Sequence, residues 1–101
     1  MRLLSNGIAV FDSGIGGLTV LERCKKLLPN ETFYYYGDNA NAPYGNRSPA
    51  EINRLVDEAV FLFQQLNARA WVLACNTVTA VCIERLRSQF SLPIIGVEPA
   101  L

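Results

Sequence analysis

Gly7-Ile8-Ala9-Val10-Phe11, running without a break into Asp12-Ser13-Gly14-Ile15-Gly16-Gly17, is the stretch that decides the fold. Its first five residues offer no polar side at either alternating position, the mark of a strand covered on both faces and therefore of a parallel sheet. Its last six residues read as the turn into a helix. Leu18, Leu21, Cys24 and Leu28 follow at helical spacing and are predicted to face inward, and Pro29-Asn30 closes that helix.

The same alternation of patterns continues outward from this unit. Thr32 to Tyr36 is aromatic and β-favouring, and Gly37 to Asn46 is a loop rich in Gly, Asn, Asp and Pro, long enough to carry function. Ser48-Pro49-Ala50-Glu51 marks a helix start, with Ser48 at the N-cap, Pro49 at the first helical position and Glu51 completing a capping box. Ile52, Leu55, Val56, Ala59, Leu62, Phe63 and Leu66 form the predicted apolar face of that helix. Asn67-Ala68-Arg69 then turns into an apolar strand, Ala70-Trp71-Val72-Leu73-Ala74. A third helix is predicted from about Thr77 to Ser88, and Pro93-Ile94-Ile95-Gly96-Val97 reads as a fourth strand. The order βαβαβαβ predicts an α/β domain spanning 1–101, an open doubly wound parallel sheet of about four strands with helices on both faces. Glu98-Pro99-Ala100-Leu101 follows the last strand without a closing helix, so a truncated chain is expected, a complete small domain being the alternative.

Composition narrows the function classes. A chain of 101 residues, 50% hydrophobic, can bury one modest core. Nine basic and nine acidic residues are scattered rather than clustered, which leaves no electrostatic footprint for nucleic acid or an anionic membrane. A small molecule or another protein is the expected partner. Three cysteines without tight spacing and no histidine argue against a disulfide scaffold or a Cys/His metal site, and no apolar run approaches the roughly 18 residues of a membrane span. Met1 to Asn6 is too short for a signal sequence, so a cytoplasmic chain with reduced thiols is expected.

In an open parallel sheet ligands bind beyond the carboxyl ends of the strands, so Asp12-Ser13, the Asp38 to Asn46 loop and Cys75-Asn76-Thr77 should share one rim. Cys75 is the first candidate for a reactive group, because Cys24 and Cys82 fall on apolar helical stripes as small core residues. Thr77 or Asn76 suits the N-cap of the third helix, and amides beyond it, like those after the glycine turn, can receive a carboxylate. A thiolate at such a helix start gains up to ~1 kcal/mol from the dipole. With no histidine to pair with it, Cys75 is left as a general base or as a thiol activated by the helix alone. Asp12 can grip an ammonium or orient a proton transfer, while Ser13, Asn76 and Thr77 offer neutral hydrogen bonds, a set suited to a zwitterion. Gly14, Gly16 and Gly17 lack both the dinucleotide spacing and the Lys-Ser/Thr of a P-loop. Each candidate also has an ordinary structural reading: Cys75 as a buried inert thiol, Asp12 as an Asx-turn residue fixing Gly14, Asn76-Thr77 as a helix cap, Tyr44-Gly45 as a turn. Tyr34 to Tyr36 and Trp71 read as packing.

Three motifs in order, Phe11-Asp12-Ser13-Gly14-Ile15-Gly16-Gly17-Leu18-Thr19-Val20, Tyr36-Gly37-Asp38 with Pro43-Tyr44-Gly45, and Ala74-Cys75-Asn76-Thr77, strongly resemble the amino-terminal half of the glutamate racemase family. The Asp-Ser-Gly opening is unlike the glycine-methionine-glycine opening of the related aspartate racemases, which favours glutamate as substrate. The resemblance implies one of two pseudo-symmetric halves and an isomerase that inverts glutamate at Cα without cofactor or metal. It further implies D-glutamate supplied for peptidoglycan, and with it cell wall biogenesis and cell shape, and a homodimer for the full-length enzyme. It assigns the chemistry to two cysteines on opposite faces of the substrate, Cys75 matching the first. It places Asp12, Ser13, Tyr44, Gly45, Asn76 and Thr77 in the substrate pocket and offers Asp12 as an assistant to Cys75. Asn46 stands where the family often has serine. The family's second motif, Cys-Thr-His, does not occur in these 101 residues, so the chain by itself is expected not to racemise glutamate at a useful rate. The rival reading is a non-catalytic domain that binds a small carboxylate or docks on a protein.

Overall fold

All five residues of β1 (Ile8–Asp12) are buried, because each side of this strand meets a different helical layer. The computed structural model describes residues 7–14 and 16–97, so Ile15 of the glycine turn, the first six residues and the terminal Glu98 to Leu101 lie outside the described residues. After β1 come α1 (Gly17–Leu27), β2 (Phe33–Gly37), a 3-10 turn at Asn39–Asn41, α2 (Pro49–Gln65), β3 (Ala70–Leu73), α3 (Asn76–Gln89) and β4 (Ile94–Gly96). The strands form one parallel sheet in the order β2-β1-β3-β4. Ile8 pairs with Phe33 on one side and Ala70 on the other, and Trp71 pairs with Ile94. The doubly wound α/β expectation holds.

Alternation sorts the central strands between two cores. Ile8, Val10, Val72 and Ala74 face α1 and pack with Val20, Leu21 and Cys24. Ala9, Phe11, Trp71 and Leu73 face the other way, onto Ile52, Leu55, Val56, Ala59 and Phe63 of α2 and Val78, Cys82 and Leu86 of α3. Each large side chain buried there is worth about 1.5–3 kcal/mol. The start of α2 is as expected: Ser48 accepts from the Glu51 amide, Glu51 accepts from the Ser48 amide, and Pro49 opens the helix. Asn67 makes the turn into β3 with φ 57, a left-handed conformation that asparagine tolerates better than most residues.

Two apolar faces differ from expectation at their margins. On α1, the buried Gly17 sets the inward direction, and Val20, Leu21 and Cys24 follow it at three, four and seven residues. Leu18 lies well off that line and is 59% exposed, and Leu28, the C-cap, has left the helical backbone and is exposed as well. On α2, Arg85 of α3 reaches Asn53 and Asp57, which identifies the side on which α3 packs. Val60 lies on that side and is buried; Leu62 lies on the other and is exposed, as is the C-cap Leu66.

Candidate active site

The chain leaves β1 toward β2 in one direction and β3 toward β4 in the other, so the sheet has its switch point between β1 and β3, where a crevice opens beyond the strand ends. Backbone bonds hold the rim of this crevice. Ala74 N–H donates to Phe11 O at 2.7 Å, Asp38 N–H to Asp12 O at 2.9 Å and Val97 N–H to Leu73 O at 3.1 Å. The resulting cavity, about 420 Å³, is lined by Ser13, Gly16, Val20, Pro43, Tyr44, Gly45, Ala74, Cys75, Asn76, Thr77 and Val97. That volume is within the range of small-molecule sites. The structure thus brings together six of the seven residues singled out from the sequence.

The seventh, Asp12, lies beneath the rim and does not line the cavity. It is 1% exposed, and its carboxylate closes the glycine turn on itself: Oδ1 accepts from Gly14 N–H and Oδ2 from Gly17 N–H, both at 3.1 Å. The glycine turn does receive a carboxylate, but its own. Gly14 and Gly16 take φ 105 and 81, which only glycine adopts cheaply.

The second wall is the loop after β2. Tyr44 is 2% exposed, packs against Phe11 at 6.0 Å between ring centres and donates its hydroxyl to Asp38 Oδ2. Asn41 Nδ2 donates to the same carboxylate at 2.9 and 3.1 Å. Burial foremost, then this hydrogen bond and the Asp38 charge, with smaller contributions from Tyr36 and Cys75, push the Tyr44 hydroxyl far above its ordinary range. Tyr44 therefore faces the cavity as a neutral phenol. Asn46 is exposed and is not among the cavity residues.

Cys75 forms the third wall, and it takes the N-cap of α3 in place of Asn76 or Thr77: its φ −144 and ψ 123 are extended and its carbonyl accepts the first helical bond, from Thr79 N–H at 2.9 Å. Helix geometry leaves the amides of Asn76, Thr77 and Val78 without acceptors inside the helix, and the Cys75 side chain caps none of them. A half-buried thiol thus sits beside open N–H donors at the positive end of a helix, an arrangement that can receive a carboxylate. The other thiols differ. Cys82 is fully buried, which pushes its thiol above the ordinary value, and Cys24 packs against the α1 core.

Sequence reasoning missed Tyr35, whose hydroxyl donates to Asp12 Oδ2. Alternation within the run Tyr34 to Tyr36 could have put it on the α1 face, but its register against Asp12 is a property of the sheet. Among the described residues no cluster of His, Cys, Asp and Glu could hold a metal, and no helix is long and apolar enough to cross a membrane.

No family model matches the chain. A curated glutamate racemase from Clostridium botulinum is 46% identical over all 101 residues, which cover 39% of that protein. Among solved structures, a glutamate racemase isoform from Bacillus anthracis superposes with a TM-score of 0.87 at 42% identity, over 92% of this chain and 35% of that one. Glutamate racemase from Francisella tularensis in complex with D-glutamate does so with a TM-score of 0.83 at 36% identity, over 93% of this chain and 36% of that one. The chain spans about 39% of the length of the curated relatives it matches. In sequence over its whole length, and in fold over nearly all of it, the chain corresponds to the amino-terminal part of glutamate racemases.

Proposed function

We propose that this chain supplies one half of a cofactor-independent glutamate racemase site, with Cys75 as the acid-base group for one face of the substrate. The observation that carries this reading is the placement of the Cys75 thiol, at the N-cap of α3 and in one cavity with Ser13, Tyr44, Gly45, Asn76 and Thr77. The relative solved with D-glutamate supports glutamate as the ligand. In this reading the open amides at the start of α3 and the hydroxyls of Ser13 and Thr77 hold the substrate. The Cys75 thiolate removes the α-proton, forming an S–H bond and leaving the C–H electron pair on a near-planar carbanion conjugated with the carboxylate. Inversion requires a proton delivered to the opposite face. Cys24 and Cys82 lie in the two cores, away from the cavity, so a second thiol from elsewhere must provide it. Asp12 contributes through the turn it holds. The product serves peptidoglycan synthesis in the cytoplasm, and the full-length enzyme is a homodimer.

The test is proton NMR of L- and D-glutamate in D₂O with the 101-residue chain beside its Cys75→Ala variant. The expected result is loss of the α-proton signal of one enantiomer, with retained configuration and no turnover, abolished in the variant. Equal signal loss in both proteins would remove Cys75 from the chemistry. Saturable binding of D-glutamate without exchange would instead favour a carboxylate-binding domain.

A further inference from the structure

Tyr35 stands apart from the other tyrosines of β2. Its side chain is 39% exposed, so filling a core does not account for it, yet its hydroxyl has a fixed and charged partner in Asp12. In the register of the sheet Tyr35 pairs with Val10, whereas the partner of Asp12 is Gly37. To reach the carboxylate the ring must run along its own strand over Gly37. It does: a Cβ at Gly37 would stand 2.9 Å from the ring Cε2 and 3.1 Å from the hydroxyl oxygen. The opposite side of Asp12 is cleared in the same way, since a Cβ at Gly17 would stand 2.1 Å from Asp12 Cγ. Two missing side chains thus make room for one contact between a phenol and a carboxylate.

The contact matters through what else Asp12 holds. Gly14 and Gly17 donate to its two oxygens, but both belong to the turn that they close and move with it. Among the hydrogen bonds of the described residues, the one from Tyr35 ties the Asp12 side chain to the neighbouring strand. We propose that Tyr35 is a positioning residue, which through Asp12 holds Ser13 and Gly14 in the conformation that presents Ser13 to the cavity of Cys75. The functional part of this inference rests on the reading of that cavity as a glutamate site. Its partial burial first, then the hydrogen bond and the charge of Asp12, push the Tyr35 hydroxyl up to about 12, so it is a neutral donor throughout the physiological range.

Tyr35→Phe keeps the ring and removes the donor. In the 101-residue chain it should speed hydrogen exchange of the Gly14 and Gly17 amides, followed by ¹⁵N NMR, about tenfold. In the glutamate α-proton assay it should raise the half-saturating concentration about tenfold while changing the limiting rate less than twofold, because Ser13 binds and does not transfer the proton. Asp12→Asn should bring the Tyr35 ionisation, read by tyrosinate absorbance, back toward its ordinary value. Unchanged Gly14 and Gly17 exchange in Tyr35→Phe overturns the proposal, as does a loss confined to the limiting rate. If wild-type chain exchanges no α-proton, the glutamate reading fails, and amide exchange alone decides whether Tyr35 holds the turn.

Discussion

Replacing Gly17 by alanine sets two physical effects against each other and gives them opposite signs. Intrinsic helix propensity favours alanine over glycine by roughly 1 kcal/mol, and Gly17 is the first residue of α1, so propensity alone makes Gly17→Ala stabilising. The packing says otherwise. A Cβ at this position would lie 2.1 Å from Asp12 Cγ, 2.3 Å from Oδ2 and 2.6 Å from Cβ. Asp12 cannot swing away cheaply, being 1% exposed and bonded to Gly14, Gly17 and Tyr35. Overpacking costs about 1–3 kcal/mol, and a displaced carboxylate gives up hydrogen bonds worth roughly 1.5 kcal/mol or more each. Net of the propensity gain, Gly17→Ala should destabilise the fold by about 3 kcal/mol. At the urea dependence usual for small domains, 1–3 kcal/mol per molar, that is a midpoint lowered by about 1–3 M. Gly16→Ala is the control: nothing lies within 4 Å of its added Cβ, so only the left-handed φ of 81 opposes it, at roughly 1–2 kcal/mol. In the Asp12→Ala background the Gly17→Ala cost should fall, because Cγ and Oδ2, the two nearest atoms it collides with, are gone and only the Cβ contact at 2.6 Å remains. A Gly17→Ala midpoint equal to or above that of the wild type would refute the account of how the turn is held.

Two further outcomes are expected. Ser48→Ala removes the side-chain half of the α2 capping box and should cost about 1 kcal/mol in urea denaturation, with the cavity residues unaffected in their NMR shifts; no loss would mean the cap is ornamental. In alkaline titration followed by tyrosinate absorbance, Tyr35, Tyr36 and Tyr44 should ionise above the ordinary 10.0 in the native chain and near it in denaturant. Because folding raises these values, the stability each contributes is intact below pH 10 and is lost as pH rises through its own raised folded value, about 12 for Tyr35.

Most of the fold was legible because its signals are local. A strand apolar on both sides, a capping box and a turn of three glycines each announce themselves within a few residues, and the order of patterns then leaves few topologies open. The rim was legible for a topological reason: in a parallel sheet every strand end points the same way, so residues far apart in sequence meet at one edge. What escaped depends on angles that sequence spacing does not carry. Leu18 and Leu62 sit at the margins of their stripes, and whether a margin is buried depends on where the neighbouring helix lies. The link from Tyr35 to Asp12 depends on strand register and on the room left by Gly37 and Gly17. Cys75 took the cap because the extended backbone ends at Cys75 and the helix already begins at Asn76, earlier than a cap at Asn76 or Thr77 would require.

The three walls of the cavity are built unequally, and the inequality argues for what enters it. Beyond the ends of β1 and β2 strand pairing runs out, and side chains take over: Asp12 gathers Gly14, Gly17 and Tyr35, and Asp38 gathers Asn41 and Tyr44. In both walls a carboxylate already occupies the local donors, so neither offers an incoming anion much. The wall at α3 is the reverse. Its N-cap residue carries a thiol that caps nothing, and its first-turn amides have no acceptor within the helix. A ligand with a carboxylate therefore gains most by placing it at the start of α3, and that choice brings the carbon next to the carboxylate close to Cys75. For an amino acid this carbon is Cα, whose proton is acidified by the same carboxylate held among amide donors. Two walls that bind themselves and one that does not thus support the proposed reading together: an amino acid's own carboxylate fits best at the start of α3, and the thiol beside it is then the group in position to react.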